Sequence, residues 1–149
     1  MTRAFGLVTA AACLLLAGCV TPAPTTSAYE SKAGMTADAA VSELRTALVA
    51  TDTYVHGRLP AVYLETLLVE AEEALGSVVT TFDSIQPPAA AAADALRATL
   101  DPLLEDAGTG VTELRIAARR DQLDDLRTTA DDLSGVADEL DAFAKQHAS

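Results

Sequence analysis

Tryptophan is absent from this chain, and cysteine, histidine and methionine occur only twice each. Each shortage closes off a class of chemistry. Both cysteines, Cys13 and Cys19, fall near the N-terminus. The remainder of the chain therefore has no thiol for a disulfide or a thiolate metal site, and no Cys-x-x-Cys-His for covalent haem. Neither histidine follows a glutamate at the spacing of a di-iron helix bundle: Thr53 stands three residues before His56, and Ala144 three before His147. Nucleophile motifs such as Gly-x-Ser-x-Gly and Ser-x-x-Lys are missing, as is a glycine-rich phosphate loop. No calcium loop of closely alternating oxygen ligands is written in the chain. Bases are scarce as well, 10 against 22 acids, for a formal charge of −12. Such a surface repels nucleic acid and anionic headgroups.

What is present begins with a leader. Arg3 is the only charge before Glu30, and an apolar run from Leu7 to Leu16 follows it. Ten helical residues span about 15 Å, half of a bilayer core, which suits a signal peptide better than a membrane-spanning helix. The run ends in Leu16-Ala17-Gly18-Cys19. That tetrapeptide resembles the lipobox of bacterial lipoproteins. The resemblance implies cleavage before Cys19, a diacylglyceryl thioether on its sulfur, and attachment to the cell membrane on the extracytoplasmic side. The leader has no Arg-Arg pair, so Sec export is expected over twin-arginine export. Losing it removes Arg3 and makes the mature chain one unit more negative. The membrane would then be held by lipid and not by charge. Residues 19–27 read as the lipidated cysteine and a Pro/Thr spacer, which in polyproline geometry reaches about 25 Å.

From Ala28 to the end, apolar residues recur at intervals of three and four, the period of a helix. Four segments result. The first, about Ala28 to Val55, carries Ala37, Val41, Leu44, Leu48, Thr51 and Val55; a start at Thr36 is the alternative, and matched helix lengths favour the earlier one. The second, about Pro60 to Ile85, carries Leu64, Leu68, Ala71, Leu75, Val78, Phe82 and Ile85. Gln86-Pro87-Pro88 ends it. The third, about Pro88 to Ala118, carries Leu96, Leu100, Leu103, Ala107, Gly110, Leu114 and Ala117. The fourth, about Asp121 to Gln146, carries Leu123, Leu126, Ala130, Leu133, Ala137, Leu140 and Ala144, with Val136 and Phe143 at its edge. Pro102 and Gly108-Thr109-Gly110 interrupt the third segment. The stripe keeps phase across the glycines, so a continuous helix kinked near Pro102 is expected, with the reversal at Ala118–Asp121. Long helices joined by short turns pack as antiparallel neighbours. The predicted fold is an all-α antiparallel four-helix bundle over residues 28–149, behind a signal peptide at 1–18.

Few residues stand out as chemical candidates. Met35 and His147 fall at ends that meet in an up-down-up-down bundle, and so resemble the Met/His pair of b-type four-helix cytochromes. Against that, a chain-end histidine and a gap-filling methionine need no haem. His56 lies in the first turn beside Gly57 and Arg58. Glu65, Glu70, Glu72 and Glu73, and Asp121, Asp124, Asp125, Asp131 and Asp132, read as solvated faces. Arg115, Arg119 and Arg120 form the one basic cluster, suited to the negative end of a helix dipole or to an anion.

The functional reading that follows is a non-enzymatic, lipid-anchored envelope protein without a cofactor or metal, whose bundle contacts another envelope component. In composition and leader it resembles small Ala/Asp-rich lipoproteins of high-GC bacteria, and no site residue carries over from that likeness. The alternative is a bundle that holds haem, a metal or a small apolar molecule, with Pro102, Gly108 and Gly110 opening the pocket.

Overall fold

The computed structural model describes residues 21–23 and 25–147; the leader and Cys19 lie outside them. In chain order the elements are β1 (Thr21–Pro22), α1 (Thr26–Val55), α2 (Ala61–Asp83), β2 (Ile85–Gln86), α3 (Ala91–Arg119) and α4 (Leu123–His147). The four helices pack against one another as an all-α bundle.

Each helix end has a local cause. Thr25 caps α1, its side-chain oxygen accepting from the Ala28 amide at 3.1 Å. At the other end of α1, the Gly57 amide donates to Tyr54 O and the Arg58 amide to Thr53 O, with Gly57 at φ +69°. The turn after α3 repeats the arrangement: Asp121 donates to Ala118 O and Gln122 to Ala117 O, with Asp121 at φ +53°. Both are Schellman closures, in which a left-handed residue lets the chain satisfy the last carbonyls and leave. The Asp121 carboxylate also accepts from the Tyr54 hydroxyl at 2.7 Å, so the second turn is tied to the end of α1. The reversal therefore lies at Arg120–Gln122, as the phase argument required.

α3 runs unbroken through Pro102 and both glycines. Pro102 is exposed, as is Ala98, whose carbonyl loses its helical partner there. The expectation for α2 was too long by two residues. It ends at Asp83, and Ile85 joins β2, because Pro87 holds the residue before it extended.

The spacer reading also needs correction. Thr21 and Pro22 pair in parallel with Ile85 and Gln86, and the Ala23 amide donates to Gln86 O at 3.3 Å. Thr21–Ala23 are thus bound to the bundle and α1 starts at Thr26, so these described residues of the spacer are not a free arm.

The core departs from the expected stripes on α1. Its fully buried residues are mostly small: Ala33, Gly34, Ala37, Ala40, Ala47 and Ala50, with Tyr29, Leu44 and Thr51. Val41, Leu48 and Val55 are only half-buried. Because this face is small, α1 reaches α3 across the diagonal as well as its neighbours α2 and α4, whereas no Cα of α2 comes within 8 Å of one on α4. Leucines from the other helices fill the space: Leu64, Leu68 and Leu75 from α2, Leu100 and Leu114 from α3, and Leu126, Leu133 and Leu140 from α4. On α3, Leu100, Ala107, Leu114 and Ala117 are buried as expected, while Leu104 and Val111 are buried in place of Leu103 and Gly110. Leu123 is 40% exposed, being the first residue of α4.

Tyr29 closes the core at the β1/β2 end. Its ring lies 5.5 Å from that of Phe82, with the Arg97 guanidinium 5.6 Å from the Phe82 centroid. Arg97 in turn bonds Asp83 at 2.8 Å and Asp101 at 3.2 Å. The Tyr29 hydroxyl is buried without a partner among the described residues. Desolvation raises its pKa, against the lowering influence of Arg97, so the phenol stays neutral.

The two glycines of α3 meet different surroundings. A Cβ on Gly108 would find nothing within 4 Å, whereas one on Gly110 would lie 2.6 Å from Leu133 Cδ1. Gly108→Ala is therefore expected to stabilise the bundle by up to about 1 kcal/mol through helix propensity. Gly110→Ala is expected to lower the unfolding midpoint in urea, because Leu133 is fully packed and its displacement costs about 1–3 kcal/mol. Equal effects of the two exchanges would contradict this packing.

Candidate functional site

The bundle brings some of the sequence candidates together and separates others. Met35 and His147 do meet, at opposite ends of the chain, and line one surface groove of about 380 Å³ between α1 and α4. They do not form a haem site. Met35 is 63% exposed and so fills no core gap. His147 Nδ1 sits 2.8 Å from the Glu30 carboxylate, and its ring lies 4.4 Å from Phe143. A Cβ on Gly34 would stand 2.8 Å from the His147 carbonyl oxygen. The backbones are thus in contact where a macrocycle would have to enter. His147 instead fastens the end of α4 to the start of α1.

His56 has a more chemical setting. Its Nδ1 lies 2.8 Å from Asp52 O and 3.2 Å from Asp52 Oδ1. It opens on a groove of about 460 Å³ that also contains Arg127, Asp131 and Ser134. A base oriented by a carboxylate near a serine invites comparison with a hydrolytic triad. The register rules it out. Arg45 bonds Asp138 across the α1/α4 seam, and in antiparallel helices Ser134 then falls level with Val49. His56 is seven residues further along, about 10 Å, beyond proton-transfer reach.

The acidic stretches are largely solvated, and no cluster of three or more His, Cys, Asp or Glu suited to a metal exists among the described residues. Glu72 is the exception in its environment. Arg115 Nε donates to it at 2.6 Å, and Thr112 Oγ1 lies 2.8 Å from its other oxygen. Desolvation pushes the Glu72 carboxyl up. The bonds from Thr112 and Arg115, with the charges of Arg115 and Arg119, outweigh it and leave the pKa below the usual glutamate range. The expected basic cluster is thereby split, since Arg115 turns to α2 while Arg119 and Arg120 stay in solvent.

A feature outside the stripes emerges at the end of the bundle far from Thr26. Val49 on α1 is 65% exposed, and Val62 and Tyr63 at the start of α2 are 66% and 61% exposed. Val49, Ala50, Leu59 and Leu67 line a groove of about 520 Å³ between the two helices, with Arg45 its only charged wall. Tyr63 and Leu67, four apart, share a face of α2. The signal was in the sequence: Val49, Val62 and Tyr63 are large apolar residues off the core stripes.

No known protein family, curated protein or solved structure matches the chain.

The Glu72 contact gives a pH signature. A carboxylate with a depressed native pKa adds stability above its unfolded pKa and loses it as pH falls through the native value. Glu72→Gln is expected to cost about 1 kcal/mol at neutral pH, a modest figure because the pair is partly solvated. The difference from the parent should vanish well below the ordinary glutamate range. Urea midpoints of both proteins at neutral and acid pH check this; a difference that persists undiminished in acid would assign the cost to packing.

Proposed function

We propose that this chain is an extracytoplasmic lipoprotein, held to the membrane through lipid on Cys19, whose bundle docks an envelope protein on the α1/α2 face. The observation that carries the reading is the mostly apolar α1/α2 groove with exposed Val49 on its wall, and exposed Val62 and Tyr63 on the first turn of α2. A solvent-facing apolar groove of this kind is where an interaction partner is expected. The position fits an anchored molecule. Val49 is 23 residues beyond Thr26, about 35 Å along α1, while Thr21 is only two residues from Cys19. An anchor at Cys19 therefore places the β1/β2 end at the bilayer and carries the apolar face outward. No helix among the described residues is long and apolar enough to cross a membrane. The reading is non-enzymatic, with binding as the activity.

Two substitutions test its two halves. Cys19→Ser should abolish lipid labelling and move the protein out of the membrane fraction or leave it unprocessed; undiminished label and retention would refute the anchor. A photo-crosslinking residue at Tyr63 should capture one envelope protein in intact cells, and Val49→Glu should suppress the adduct while membrane retention is unchanged. Equal capture from exposed Glu139 on α4 would show that the α1/α2 face has no special role.

A further inference from the structure

The seam between α2 and α3 contains a notch on another side of the molecule. Thr112 and Glu72 face each other across it. In antiparallel helices a step forward on α2 is a step back on α3. Gly76 is four residues on from Glu72 and Gly108 four back from Thr112, so the two glycines stand opposite one another. A Cβ on either would meet nothing within 4 Å. The missing side chains open a groove of about 710 Å³ floored by Leu75, Val79 and Leu104. Its rim is acidic: Glu72 and Glu113 lie on one side of the notch along the seam, and Glu105 on the other. Arg115 already neutralises Glu72. Glu105 and Glu113 are exposed and have no cation within ion-pair distance among the described residues.

We propose that this notch is a second docking site, and that its occupant is an amphipathic helix of a basic partner, with one Leu- or Met-sized side chain in the glycine notch and Lys or Arg a turn away on each side. The lining runs from Glu72 to Thr80 on α2 and from Leu104 to Glu113 on α3, about 12 to 14 Å or a little over two helical turns, which matches one helix crossing the seam. Facing glycines allow close backbone approach and provide the hole for a single knob. The unpaired carboxylates on either side of the notch select a cationic flank. A second copy of this chain is disfavoured, since it would bring glutamates against glutamates within a protein of charge −12. The proposal rests on the reading of the bundle as an interaction domain, but the experiments on Cys19, Val49 and Tyr63 do not touch this groove, so the two can fail separately.

The probe is a synthetic helical peptide of about 15 residues with a leucine stripe flanked by lysines, and a twin with glutamate flanks. Binding to the purified full chain in buffer is read by fluorescence anisotropy, with an unrelated protein of similar negative charge as the blank, so the readout does not depend on the lipid anchor. The lysine peptide should bind at least about tenfold more tightly than its twin. Gly76→Leu and Gly108→Leu, which fill open space, should each weaken it by about tenfold or more with helicity retained. Glu105→Gln with Glu113→Gln should weaken binding and flatten its salt dependence. If the leucine variants do not fold, exposed Thr109→Lys on the groove wall takes their place and should weaken the lysine peptide while sparing the twin. Unchanged binding to folded leucine variants, equal binding of both peptides, or insensitivity to Thr109→Lys would each overturn the proposal.

Discussion

The small-residue face of α1 is the constraint from which the rest of the bundle follows. Ala33, Gly34, Ala37, Ala40, Ala47 and Ala50 offer neighbouring helices methyl groups and bare backbone where a typical core helix offers leucine. Helix axes approach according to the bulk between them, so α1 comes close to α2, α3 and α4 together, and α2 and α4 are held apart. The cross-section is a rhombus with α1 and α3 on its short diagonal. Bulk is then supplied by the other three helices, whose leucines close around the alanine spine. Interiors pack densely, and alanine faces leave no flexible side chain to absorb a misfit. Gly34 against the His147 carbonyl is the extreme case.

The two ends of this rhombus are finished differently. At one end both turns close by the same left-handed device, at Gly57 and Asp121, and the Tyr54–Asp121 bond joins them. At the other end, Tyr29, Phe82 and Arg97 plug the core, β1 pairs with β2, and His147 bonds Glu30. The plugged end receives the chain arriving from Cys19. An anchored molecule would thus meet the membrane with its most tied-down end and present the short-turn end, with Val49, Val62 and Tyr63, to a partner.

Much of the fold was legible because helix periodicity and turn chemistry are local. Leu64, Leu68, Leu114, Leu126, Leu133 and Leu140 fell on the expected stripes and are buried. Phase continuity placed the reversal after Ala118 despite two glycines and a proline upstream. What was missed is non-local. Alanine is ambivalent between core and surface, so the buried face of α1, correctly drawn through Ala37, Leu44 and Thr51, was drawn also through Val41, Leu48 and Val55, which are larger but only half-buried. The burial of Leu104 and Val111 in place of Leu103 and Gly110 on α3 depends on which neighbour α3 faces. The pairing of Thr21–Pro22 with Ile85–Gln86 joins segments more than sixty residues apart. The candidate surfaces show the same limit. Met35 and His147 were correctly brought to one end, but the packing of Gly34 against the His147 carbonyl, which closes that end, is not written in either helix alone. The notch between α2 and α3 needs the register that sets Gly76 opposite Gly108, and no single-helix pattern contains it.

The alanine spine can be tested at its centre. Ala40 is fully buried and Val49, nine residues along the same helix, is 65% exposed. The decisive measurement is the urea unfolding midpoint of Ala40→Leu beside that of Val49→Leu. If α1 is the tight spine of the bundle, Ala40→Leu overpacks the contact and costs about 1–3 kcal/mol, while Val49→Leu stays within about 0.5 kcal/mol of the parent. An Ala40→Leu protein as stable as the parent, or more so, would mean that α1 is loosely held and that its small residues do not set the architecture.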